Sequence, residues 1–219
     1  MAGYTMLKKL LGIIFIILIL NVNIAYSEEY DLSILSGVGG EFVAVSSNGE
    51  TIEFSDYSGK IVVLAFGYTS CADICPFTLG YLKQLYNQLT PEQQQHVQVL
   101  FSTVDPEYDT PAHLKDFLGH FHPDFVGLSG TKEQTDYIVS LFQAQYNQLS
   151  SMGMPTHNIR QVQKKLFTEE QDTAEETATL FSHSVSLYLI DKDGFTRSIE
   201  YTGTPKDQFA EKIQQLINE

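Results

Sequence analysis

The chain has 219 residues, 43% hydrophobic and 18% charged, enough for one domain with a full core plus a short appendage, and too apolar for a disordered chain. Its 13 basic residues stand against 27 acidic ones, a net charge of −14. A field of that sign repels nucleic acid and anionic lipid headgroups, which argues against polyanion binding and leaves cations or a basic protein face as better partners.

The first element is a targeting segment. Lys8-Lys9 precede the eleven-residue run LLGIIFIILIL, Leu10 to Leu20, which is followed by NVNIAYS with a small-x-small site at Ala25 and Ser27. The run is shorter than the roughly 20 apolar residues of a spanning helix. Residues 1–27 are therefore expected to be a signal peptide cleaved after Ser27, or a membrane anchor if retained, and the absence of a cysteine near the site excludes a lipoprotein. The remainder, with 11 basic and 27 acidic residues, is expected in the periplasm or cell envelope.

Residues 28–40 read as a polar linker to a domain spanning 41–219. EFVAVSSNGETIEFS is a predicted hairpin turning at Ser-Asn-Gly, and KIVVLAFGY a strand buried on both faces. PFTLGYLKQLYNQL places Leu79, Leu82, Leu85, Tyr86 and Leu89 at helical spacing, with Pro76 in the first turn. A second buried strand covers Val97 to Val104. Thr110 and Pro111 open a helix as N-cap and first residue, FVGLSG is a third strand, and TKEQTDYIVSLFQAQYN another helix. Residues 147–180, rich in Gln, Glu, Thr and Ser, read as an insertion, a mobile loop with some helix around IRQVQKKLF. Then come the strand HSVSLYLI, a turn at Asp191 to Gly194, the strand FTRSIEYTG and a closing helix, TPKDQFAEKIQQLINE. This order predicts an α/β fold with a mixed central sheet flanked by helices. Sites in such sheets lie beyond the carboxyl ends of the parallel strands, where the 66–75 loop stands.

That loop, FGYTSCADICPFT, holds Cys71 and Cys75, the chain's two cysteines. A disulfide between them closes a loop of only about five residues and removes little unfolded-state entropy, so their role is chemical rather than structural. Four positions apart at a helix entrance, both thiols face one way, and the helix N-terminus is expected to stabilise their thiolates. Such a pair is half of a soft-metal site or a redox dithiol, and spacing does not choose between them. Among the histidines, His96, His113, His120 and His122 read as solvated. His157 lies in the insertion beside Met152 and Met154. His183 stands immediately before a buried strand and, taken alone, reads as a polar loop residue.

Three blocks carry a resemblance. FGYTSCADICPFTLGYL, STVDPEYDTPAHLKDFL and FSHSVSLYLIDKDG resemble, in order, the Cys-x-x-x-Cys-Pro, Val-Asp-Pro-x-x-Asp-Thr-Pro and His-Ser blocks of the Sco/SenC family, across roughly residues 38–217. The resemblance implies a thioredoxin-like fold and a site binding one copper ion per chain, Cu(I) or Cu(II), through Cys71, Cys75 and His183. It further implies that such a chain delivers copper to the dinuclear centre of cytochrome c oxidase subunit II, or maintains the cysteine ligands there. That is a metallochaperone rather than a metabolic enzyme. Ala72 replaces a Pro common in the family, and the 147–180 segment is longer than its usual connection.

The rival reading is an envelope thiol-disulfide oxidoreductase using Cys71 and Cys75, which needs no His183. A thiol peroxidase would need an Arg near Cys71, and none is close in sequence. Asp73 is expected to cap the helix, Asp105 and Asp109 to shape a turn near the site, with Asp105 at a strand end placed to orient a ligand. Tyr68 is expected to pack beside the loop.

Overall fold

The computed structural model describes residues 29–149, 180–183 and 185–219. The expected signal segment and most of the insertion, with Met152, Met154, His157 and the helix expected around IRQVQKKLF, lie outside the described residues.

The predicted hairpin forms β1 (Val43–Ser46) and β2 (Thr51–Glu53), closed by a turn in which Gly49 takes φ +86, a conformation that favours glycine. The unbroken apolar run becomes β3 (Ile61–Gly67), buried along its whole length. Helix α1 (Ile74–Tyr86) carries the chain back, and after a short helix α2 (Pro91–Gln94), β4 (Val97–Thr103) pairs parallel to β3 from Ile61↔Val97 to Gly67↔Thr103. Thr110 caps α3 (Pro111–Gly119) as the sequence predicts, its hydroxyl accepting from the His113 N–H at 3.2 Å. β5 (Val126–Ser129) then adds in parallel to β4 and antiparallel to β1.

On the far side of β3, β8 (Ser186–Ile190) and β9 (Thr196–Tyr201) add as antiparallel strands, joined by a turn in which the Asp191 carboxylate accepts from the Asp193 and Phe195 N–H groups. The seven-stranded order is β2-β1-β5-β4-β3-β8-β9. The closing helix α5 (Lys206–Asn218) packs on α1 and β3, and α3 packs on β5. The predicted mixed α/β architecture is therefore present, with buried β3 an interior strand between β4 and β8. Residues 32–35 lie beside the start of β9, where the Leu35 N–H donates to the Thr196 carbonyl at 2.8 Å and the Arg197 guanidinium to the Leu32 carbonyl.

The helix predicted through residue 147 stops earlier. α4 spans Lys132–Leu141, Phe142 buries against Phe42, Phe66 and Tyr188, and Gln143 turns the chain at φ 52. Beyond Phe142 the helical period has almost nothing left to bury, and Tyr146–Leu149 instead forms β6, antiparallel to β7 (Leu180–His183) in a separate two-stranded ribbon. His183 thus ends one strand rather than opening the next, and β8 begins at Ser186.

Candidate metal centre

β3 ends at Gly67, whose carbonyl accepts from the Val104 N–H at 2.8 Å, and the chain then turns with the Cys71 N–H donating to the Tyr68 carbonyl at 3.3 Å. Tyr68 is buried beside this turn, as expected. Helix α1 starts at Ile74, so Cys71 stands in the loop and Cys75 in the first helical turn. Neither is in a disulfide, and both are buried, Cys71 8% and Cys75 1% exposed. The absence of a side chain at Gly67 makes room for this: a Cβ there would stand 2.7 Å from the Cys75 sulfur and 2.6 Å from the Phe101 ring. A glycine interrupting the end of an apolar strand just before the cysteines was the sequence signal for this contact.

The two thiols hydrogen-bond to each other, and this bond, followed by burial and the negative potential of Cys71 and Asp109, raises the Cys75 pKa; a backbone bond from Tyr68 opposes the rise. The expectation of helix-stabilised thiolates therefore fails for Cys75. A hydrogen bond that Cys75 makes as a thiol, in a site shielded from water, outweighs the helix field. The Asp73 expectation also fails. It occupies the N-cap position at φ −130, ψ −80, outside the extended region a capping side chain needs, and its exposed carboxylate makes no cap bond.

The turn after β4 holds the two carboxylates anticipated near the site, with their roles divided differently. Asp105 stays within its own turn: its N–H donates to the Thr103 hydroxyl at 3.0 Å and its carbonyl accepts from the Tyr108 and Asp109 N–H groups. Burial, then the charges of Asp109 and Glu107, push its pKa from 3.8 to about 6, against a backbone bond from Tyr108. Asp109 is the one that reaches the cysteine loop, accepting from the Thr69 N–H at 3.0 Å and from the Thr69 hydroxyl.

His96 and His120 are exposed, as expected. His122 is not simply solvated, since its ring packs against Tyr86 and Phe125, and His113 lies against Tyr108 with Nδ1 3.9 Å from Asp109. No group of three or more His, Cys, Asp or Glu arranged to hold a metal occurs among the described residues. The structure brings Cys71 and Cys75 together. For His183 it gives the backbone position, across the ladder from Tyr146; the side chain lies outside what is described.

The donor set fits a soft ion. Two adjoining sulfurs, each able to release a proton on ligation, supply thiolates suited to Cu(I), and they sit at a loop–helix junction.

Comparison with known proteins agrees with this geometry. The SCO1/SenC family model matches residues 33–218. A SCO2-like protein of Rickettsia felis is 29% identical over 171 residues, covering 78% of this chain and 73% of the relative. The apo Sco1 solution structure from Thermus thermophilus superposes with a TM-score of 0.67 at 28% identity, covering 88% of this chain and 99% of that one. Copper-bound yeast Sco1 superposes at 0.66 with 25% identity, covering 84% and 90%. With the family match running from the segment beside β9 to the last turns of α5, and the paired cysteines beyond the end of buried β3, the chain belongs to the SCO1/SenC family.

Proposed function

We propose that this chain is a copper-binding assembly factor of the periplasm or cell envelope. It holds one copper ion through Cys71, Cys75 and His183, and either delivers it to the dinuclear centre of cytochrome c oxidase subunit II or maintains the cysteine ligands of that centre. The observation that carries the reading is the pair of reduced, mutually hydrogen-bonded thiols at the carboxyl end of β3. The copper-bound yeast Sco1 supports it by likeness. Two thiolates favour Cu(I), an imidazole makes Cu(II) tolerable, and three protein donors leave a position through which a partner's ligand can enter. The strongly acidic chain also suits a basic face on a client.

The oxidoreductase reading draws on the same pair, since the more exposed Cys71 is the natural attacking thiol and Cys75 the resolving one. His183→Ala separates the two. On the copper reading, reduced protein from residue 28 onward binds one copper, its Cu(II) form shows an intense sulfur-to-copper charge-transfer band, and His183→Ala loses that band with dithiol reactivity intact. X-ray absorption on wild type and variant gives the ligand count. Undiminished copper binding in His183→Ala, with reductase activity that disappears in Cys71→Ala, overturns the copper reading in favour of the redox one.

A further inference from the structure

We propose that Asp109 is a positioning residue for the cysteine pair, holding the 67–75 loop in ligating geometry by clamping Thr69; its metal consequence rests on the copper reading above. Asp109 is fully buried. One carboxylate oxygen accepts from the Thr69 N–H at 3.0 Å and the Thr103 hydroxyl at 2.5 Å, and the other accepts from the Thr69 hydroxyl. Thr69 is thus gripped by main chain and side chain at once, from a residue 40 positions away and only two positions before Cys71. Such a two-point grip fixes both the path of the backbone and the rotation of the side chain at that residue.

The clamp has a fixed base. The Asp109 N–H donates to the Asp105 carbonyl at 2.9 Å, its own carbonyl accepts from the Ser129 hydroxyl at 2.9 Å, and the next residue, Thr110, caps α3. The ends of β4 and β5 and the start of α3 therefore meet at this residue, and its carboxylate carries their rigidity to the thiol loop. Asp105, the neighbouring buried carboxylate, makes no bond of this kind to the loop among the described residues. The basic side chain beside Asp109 is His113, at 3.9 Å, beyond hydrogen-bond distance, so the hydroxyl and N–H donors satisfy the carboxylate in place of a close salt bridge.

The test compares the two threonines that serve one carboxylate. Thr69→Val removes a hydroxyl on the cysteine loop, Thr103→Val removes one on β4, and Thr69→Ser restores the loop hydroxyl. Two quantities are read on folded protein. One is Cu(I) affinity, by competition with a chromophoric chelator. The other is the equilibrium in which the Cys71/Cys75 dithiol and oxidised glutathione become the protein disulfide and two reduced glutathiones.

Thr69→Val is expected to weaken Cu(I) binding about 10- to 100-fold and to displace the glutathione equilibrium, with Thr69→Ser recovering both. Thr103→Val is expected to lower thermal stability comparably while moving the two readouts less. Asp109→Asn, which cannot accept at both oxygens, is expected to behave as Thr69→Val; if it does not fold, the threonine pair decides. Wild-type values in Thr69→Val, or equal shifts from Thr69→Val and Thr103→Val, overturn the proposal. Failure of wild type to bind copper removes the copper reading alone, because the glutathione equilibrium still reports loop geometry.

Discussion

The cysteines stand at the end of a strand buried on every residue and tied to the β4–α3 turn through Asp109, whereas β7, which carries His183, pairs with β6 in a ribbon outside the seven-stranded sheet. Tyr146, opposite His183 in that ribbon, ties it to the Lys132–Leu141 helix: the Tyr146 hydroxyl bonds Asp136 and accepts from Lys132 at 2.9 Å. Lys132 and Asp136 are about half exposed, at 54% and 49%. The sulfurs thus stand at the end of a fully buried strand, whereas the residue proposed above as the third ligand is carried by a separate two-stranded ribbon. On the copper reading proposed above, such a division keeps the sulfurs preorganised while His183 sets how readily a bound ion is surrendered.

The rigidity of the cysteine side is broken most directly at Gly67. Gly67→Ala places a methyl group within 2.7 Å of the Cys75 sulfur and 2.6 Å of the Phe101 ring, so either the sulfur or the ring must shift. The expected cost is about 1–3 kcal/mol in urea unfolding, with weakened copper binding in the fraction that folds. A variant as stable as wild type that binds copper normally means the strand end yields, and the contrast between the two halves is lost.

Asp105 offers a smaller effect, with a pH signature. Its folded-state pKa of about 6 lies above the ordinary 3.8, so between those values the folded chain holds a proton that the unfolded chain has released. The contribution of this group therefore falls as pH rises through that window and levels off, as a constant cost, above about 6. A shift of that size corresponds to a ceiling of about 3 kcal/mol, and Asp105→Asn is expected to recover about 1–2 kcal/mol at pH 8 and almost none at pH 4. Denaturant midpoints at the two pH values check it; a gain of equal size at both assigns the effect to packing rather than ionisation.

The cysteine pair predicts its own asymmetry in reactivity. Cys75 is the more buried, and its bond to Cys71 holds the proton on its sulfur. Iodoacetamide at neutral pH is expected to modify Cys71 at least about tenfold faster than Cys75, read by mass spectrometry of peptides from partly labelled protein. Equal rates would show that the loop opens faster than reagent arrives.

Much of the cysteine half was legible in the sequence because its signals are local. An unbroken apolar run gives a buried strand, Thr110-Pro111 gives a helix start, and two cysteines before a helical period give a thiol pair at a strand's carboxyl end. The choice between Asp105 and Asp109 was not legible, because it depends on the path of one turn: the first carboxylate stays within it and the second projects back to Thr69. The direction of the Cys75 pKa shift is not legible in the sequence, which shows the helix field but not the neighbouring thiol or the burial. The β6–β7 ribbon escaped notice for a different reason. Its strands, YNQL and LFSH, lack clear apolar alternation and pair across a long sequence separation, so neither announces itself alone. His183 entered through the family resemblance; its own surroundings, a polar stretch before a strand, carried no metal signal.

The smallest effect tests the His side of the comparison. Tyr146→Phe keeps the ring, and with it the Lys132 ammonium 5.4 Å from the ring centroid, but removes the hydroxyl that links Asp136 and Lys132. Because these partners are exposed and screened, global stability is expected to change by less than about 1 kcal/mol. The local consequence is larger in kind: amide hydrogens of Tyr146–Leu149 and Leu180–His183 should exchange faster in the variant while those of β3 and β4 are unchanged. Copper off-rate, measured by chelator capture, should rise with that exchange while thiol alkylation stays at its wild-type rate. If instead alkylation accelerates together with ribbon exchange, the two halves open as one unit, and the third donor cannot be released independently of the sulfurs.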